Sequence, residues 1–210
     1  MSMPAAHAEA DLMTAEALER VVIAGKSTEL VRGRLVVREP PSTWHGTIAG
    51  KLTYLIGAFV YPRKLGVVCG QDTGFKIRSK PDTVRAPDVG FLVQERVGLI
   101  GRRGYAALAP DLVAEIVSPE EQPAELLEKV ADWLGAGVRL VWVIDAARAE
   151  VRVYRPDGSL SVLDDTESLV GEDVLPGFVC MVRDILDPFD LTNDRREGQP
   201  PQGFEPKASA

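Results

Sequence analysis

The chain has 210 residues, 45% of them hydrophobic and 26% charged, with a formal net charge of −7. That composition suits one globular domain with a modest tail, and neither a disulfide nor a metal is required for folding. The acidic balance excludes a protein that coats nucleic acid indiscriminately, although a local basic patch can work inside an acidic chain.

Residues 1–11 read as a flexible lead, with no basic start followed by an apolar run, so no signal peptide is expected. A helix is expected from Leu12 to Val21, ended by Gly25. Glu29–Val37 reads as a hairpin about Gly33. After Pro40-Pro41, Ser42 or Thr43 can cap a helix over Trp44–Val60, closed by Pro62. Its apolar stripe is His45, Ile48, Leu52, Leu55 and Phe59. His45 has two readings there, a core histidine bonded to a carbonyl or a residue lining a site.

Strands follow at Gly66–Cys69 and Thr73–Arg78. Lys76, Arg78, Lys80 and Arg85 form a local positive cluster, read as a charged edge strand or as a surface facing phosphates. Asp88–Val93 is a strand, 94–108 a loop, and Leu112–Val117 the next strand. Ser118-Pro-Glu-Glu121 resembles a helix start, with the main helix over Pro123–Leu134. Strand Val138–Ile144 comes next, then a hairpin of Val151–Arg155 with Leu160–Leu163. A short strand at Gly177–Val182 and a turn of helix near Ile185 complete the domain, taken as 12–189. Residues 190–210 are polar and Pro-rich and read as a disordered tail.

A helix joining the two most apolar strands implies a parallel strand–helix–strand unit, and hence a mixed α/β (α+β) class. No apolar run reaches the roughly 18 residues of a membrane helix, so a cytoplasmic chain without a membrane partner is expected. Cys69 and Cys180 have no metal spacing and read as buried free thiols.

Strand Leu112–Val117 is apolar on both faces except for Glu115. A lone carboxylate on a covered strand must be paired, protonated or metal-bound. Asp88, after Pro87, suits a turn on its own. It gains meaning if its strand lies beside that of Glu115, because two carboxylates at neighbouring strand ends can grip one Mg²⁺. Lys129 sits at the rim of the helix stripe formed by Leu126, Val130, Trp133 and Leu134. It is either a snorkelling surface lysine or a third member of the site. Acid, acid and lysine together point to metal-assisted phosphodiester hydrolysis. No Walker loop, Gly-x-Ser-x-Gly or Gly-x-Gly-x-x-Gly occurs, and His7 and His45 are too few for a histidine zinc site.

The order Pro87-Asp88, Glu115 within Pro110-Asp-Leu-Val-Ala-Glu-Ile-Val-Ser-Pro119, and Lys129 before Gly135-Ala-Gly-Val-Arg-Leu-Val-Trp-Val-Ile-Asp145 closely resembles the bacterial Uma family. These are restriction-endonuclease-like proteins of the PD-(D/E)xK nuclease superfamily. The similarity covers roughly residues 12–188 and includes Glu29-Leu-Val-Arg-Gly-Arg-Leu35, His45-Gly46, Val151-Arg-Val-Tyr-Arg155 and Leu175-Pro-Gly-Phe178. It implies a restriction-endonuclease-like fold, a central mixed β-sheet flanked by helices. It implies Asp88 and Glu115 as Mg²⁺ or Mn²⁺ ligands, Lys129 as the catalytic lysine, and Glu29 and His45 as possible site-lining residues. One departure stands out, since the superfamily's usual lysine position, two after the second acid, is Val117 here.

The leading expectation is therefore a metal-dependent endonuclease acting on DNA, with a homodimer suited to cutting both strands of a duplex. The alternative is a catalytically inactive module that keeps the nuclease fold to bind protein or nucleic acid. A hydrolase of another phosphoester is a third reading.

Overall fold

A computed structural model describes residues 12–187. The terminal segments 1–11 and 190–210, read above as flexible or disordered, lie outside the described residues, as do positions 188–189 of the expected domain range. In chain order the elements are α1 (Ala15–Leu18), β1 (Ser27–Val31), β2 (Arg34–Arg38), α2 (Thr43–Arg63), β3 (Gly66–Cys69), β4 (Phe75–Arg78), β5 (Thr83–Arg85) and β6 (Val89–Val93). There follow α3 (Gln94–Val97), β7 (Leu112–Ile116), α4 (Pro123–Gly135), β8 (Leu140–Asp145), β9 (Glu150–Tyr154), β10 (Leu160–Asp164), β11 (Ser168–Val170), β12 (Val179–Met181) and α5 (Val182–Leu186).

The central sheet has six strands in the order β10-β9-β8-β7-β6-β3. Only β7 and β8 run parallel in it, joined through α4. The sheet is thus mixed, as expected. Side chains alternate across β7. Leu112, Ala114 and Ile116 pack with Ile48, Leu52, Ile56 and Val60 of α2 on one face. Val113 packs with Leu126, Val130 and Trp133 of α4 on the other. Each such large side chain removed from water contributes about 1.5–3 kcal/mol. These two cores clamp the sheet between α2 and α4.

A second sheet, ordered β2-β1-β5-β4, carries the hairpin. Its two-residue turn, Arg32-Gly33, has both residues at positive φ, 49° and 76°, the twist a tight hairpin favours. This sheet faces α4 through charges rather than grease. Arg32 bonds Glu128, Arg38 bonds Glu125, and Arg85 bonds Asp132.

Several local expectations change. The first helix is only Ala15–Leu18, capped by Thr14 and pinned where Asp82 accepts from Ala15 N–H at 2.9 Å. Val22 points to solvent, so nothing holds a longer stripe. Helix α2 runs through Pro62, because Lys64 N–H and Leu65 N–H reach back to the carbonyls of Tyr61 and Val60 and close the last turn. Its buried stripe follows Ile56 and Val60, with Leu55 and Phe59 only partly covered. Ser118 does not start a helix, since α4 begins at Pro123 after Gln122. The segment after β6 contains the short helix α3.

The positive cluster also divides. β4 is an edge strand, as one reading had it. Arg85, however, is 2% exposed and locked to Glu29 and Asp132, so it faces no solvent phosphate. Lys76 pairs with Asp82 at 2.8 Å.

Candidate active site

β6 and β7 are antiparallel neighbours, with Val89 opposite Ala114. Val89 and Ala114 both join the core under α2. Asp88 immediately precedes β6 and Glu115 follows Ala114 in β7, so the two acids come to the same end of this strand pair. The condition that gives Asp88 meaning is therefore met. Asp88, Glu115, Lys129, Glu29 and His45 all line one cleft of about 580 Å³.

Asp88 is held from three sides. Its Oδ2 accepts from Ile116 N–H at 2.7 Å and lies 3.3 Å from His45 Nε2. Its Oδ1 accepts from the Gln71 amide at 3.2 Å. Helix α2 places His45 within its first turn, where Ser42 Oγ accepts from His45 N–H. His45 Nε2 faces two acceptors, Asp88 Oδ2 and the Ile116 carbonyl at 3.1 Å, so this nitrogen carries hydrogen. Nδ1 then accepts from the Gln71 amide at 3.2 Å. Both readings of His45 hold together: it bonds a carbonyl and it lines the cleft. Burial pulls its pKa down, but the Asp88 carboxylate outweighs that and leaves it raised.

Glu115 is buried to 3% exposure. Its Oε1 accepts from Trp133 Nε1 at 2.7 Å and its Oε2 lies 3.5 Å from Lys129 Nζ. Burial pushes its pKa up to about 7, with the charges of Asp88 and Glu29 adding to the rise and Lys129 and Trp133 opposing it. Lys129 sits between Glu115 and Glu121, the latter at 2.7 Å. Burial alone would lower its pKa, but these two carboxylates raise it above the ordinary lysine value. The snorkelling reading gives way, because this amine is buried between acids.

Glu29 stands behind the pair. Its Oε2 accepts from Arg85 at 3.1 Å and its Oε1 from Ala86 N–H at 3.0 Å. Arg85 spends its remaining fork on Asp132, at 2.8 and 3.1 Å. This buried array ties β1, β5 and α4 together beneath the cleft.

Sequence reasoning missed the part played by Gln71, Glu121 and Trp133. Trp133 is four residues beyond Lys129 and so shares its helix face, a signal that was present. Gln71 follows β3 in a turn and Glu121 precedes α4, and neither position carries a periodicity.

Asp88 and Glu115 present hard oxygen donors. Among the described residues, no group of three or more His, Cys, Asp or Glu side chains is arranged to hold a metal ion. A two-carboxylate site suits a cation that keeps several of its waters.

The Uma2 family model, described as "Putative restriction endonuclease", matches residues 15–184. The chain belongs to the Uma2 family. The Uma2 chain is also similar in fold to a crystal structure of a protein described as a "putative nuclease belonging to DUF820" from Anabaena variabilis, at a TM-score of 0.72 and 19% identity. That match covers 84% of this chain and 98% of the other. No curated protein matches it significantly. Family and fold together make this Uma2 protein nuclease-like, with the mixed sheet flanked by helices that the family resemblance implies. No described helix is long and apolar enough to cross a membrane.

Proposed function

We propose that this protein is a metal-dependent endonuclease that hydrolyses phosphodiester bonds of DNA, with Mg²⁺ or Mn²⁺ held by Asp88 and Glu115. One observation carries the reading. Glu115 and Asp88 line one cleft, and burial first, with the charges of Asp88 and Glu29 adding to it, pushes the Glu115 pKa up to about 7. A buried carboxylate that also feels other negative charges is costly to ionise unless cations offset it. The donor set, oxygen only, fits such an ion.

When bound, the ion polarises a phosphate and lowers the pKa of an attacking water. The chain's own residues supply the rest. Ile116 N–H and the Gln71 amide fix the direction of the Asp88 carboxylate. Trp133 fixes that of Glu115. Lys129, held cationic between Glu115 and Glu121, serves as a fixed positive charge that offsets negative charge developing in the transition state. Its raised pKa makes it unsuited to act as a general base near neutral pH.

A second reading keeps the fold and drops the chemistry. Val117 at the superfamily's usual lysine position favours it. The test is cleavage of duplex DNA, single-stranded DNA and RNA with Mn²⁺, beside titration calorimetry of the ion. Cleavage lost in Asp88→Ala and in Glu115→Ala supports the enzyme. Ion binding with every nucleic acid left intact selects the binding module.

A further inference from the structure

The cleft poses an electrostatic problem for a phosphate-bearing substrate. Among the described residues, eight carboxylates line it against two permanent cations, Arg38 and Lys129. Lys129 is already matched by two buried carboxylates, and its side chain is 15% exposed. Arg38 is differently placed. It ends β2 on the cleft wall, with its side chain 31% exposed. Its Nη1 donates to Glu125 Oε2 at 3.3 Å, and that glutamate is 52% exposed. Its buried Nε lies 3.7 Å from Glu29 and makes no hydrogen bond. Glu29 is meanwhile satisfied by Arg85 and Ala86.

Resting on the nuclease reading above, we propose that Arg38 binds a phosphate of the DNA substrate, and that Glu125 holds it in reserve until that anion arrives. A half-exposed arginine–glutamate pair contributes little and is easily exchanged. A phosphate offers the exposed end of the guanidinium a better match, two parallel charge-assisted bonds. Glu125, in the first turn of α4, belongs to the same helix as Lys129. The exchange therefore takes place across the cleft, between the small sheet and the helix that carries the site's lysine. Releasing Glu125 leaves its carboxylate in water, at little cost because it is exposed.

The test reads binding apart from turnover, by fluorescence anisotropy of a short labelled DNA duplex with Ca²⁺ in place of Mg²⁺, across a salt series. Arg38→Ala weakens binding by roughly tenfold, the loss of one charge-assisted contact. It also flattens the slope of log affinity against log salt by about one. Arg38→Lys falls between the two, keeping the charge and losing the fork. Glu125→Gln moves the other way and tightens binding a few-fold, a gain that a merely structural pair would not produce. Mn²⁺ affinity, read by calorimetry, stays at the wild-type value in Arg38→Ala. Equal duplex affinity and equal salt slope in wild type and Arg38→Ala overturns the assignment, as does weaker binding in Glu125→Gln. A wild-type protein that holds Mn²⁺ and binds no duplex at all overturns the DNA reading itself, and the role of Arg38 falls with it.

Discussion

The Trp133 indole N–H points at Glu115 Oε1 from 2.7 Å. A tryptophan that fills the core under α4 thus also steadies a buried carboxylate of the cleft. The bond favours the charged form of Glu115, against burial. Trp133→Phe keeps most of the volume and removes the donor. It should destabilise the protein by about 1–3 kcal/mol in urea titrations, the usual cost of an orphaned buried group. It should also raise the Glu115 pKa further. Mn²⁺ affinity then drops most near pH 6.5, where the ion must displace a proton, and recovers toward wild type above pH 8. A loss of affinity that is the same at every pH would count against this role for the indole.

Glu115 makes metal-free stability depend on pH in a definite direction. Its folded pKa of about 7 lies above the ordinary glutamate value of 4.5. Between those values the folded state binds more protons than the unfolded one, so stability falls as pH rises. The contribution is full below pH 4.5 and gone above 7. Glu115→Gln keeps an acceptor for Trp133, and Lys129 retains Glu121. At pH 8, without metal, this variant should match or exceed wild-type stability, by up to a few kcal/mol. It should at the same time lose Mn²⁺ binding. A clear drop in melting temperature at pH 8 would show that Glu115 is a structural partner of Lys129 first.

Arg85 joins Glu29 and Asp132 in a nearly dry environment. Removing one partner from such a set strands the others, at about 3–5 kcal/mol. Arg85→Met should therefore cost that much in chemical denaturation. Arg85→Lys should recover little of it, because a lysine cannot bond both carboxylates with a planar fork. Full recovery by lysine would reduce the array to simple charge balance.

Burial pushes the Cys180 thiol up to about 12, with Asp184 adding to the effect, and burial raises Cys69 as well. The thiolate is the reactive form. Iodoacetamide at pH 8 should label neither cysteine readily in the native protein and both rapidly in urea, as read by mass spectrometry. Fast native labelling of Cys180 would mean that the β11–β12 end of the molecule opens often.

Much of the architecture is written in local pattern. Alternation of side chains separates the two faces of β7 and leaves Glu115 as the single misfit among apolar neighbours. The stripe of α4 follows from Leu126, Val130 and Trp133. The parallel β7–β8 pair follows from a helix placed between two apolar strands. These features rest on spacing along a few residues, which the chain displays directly.

Which charge meets which is a different matter, because a carboxylate looks the same in a sequence whether it ends in water or in a core. Arg85 stood in a positive cluster with Lys76 and Arg78, yet the fold buries it 56 residues away from Glu29 in the chain and 47 from Asp132. Gln71 gained its place only when the turn after β3 came beside His45 and Asp88. From spacing alone the chain determines the mixed sheet, its two helical covers and the misfit acid. Tertiary structure decided that Asp88 and Glu115 line one cleft, and it built the cage around Lys129 and the Arg38–Glu125 pair at the cleft wall, since strand pairing across dozens of residues, not local periodicity, sets those distances.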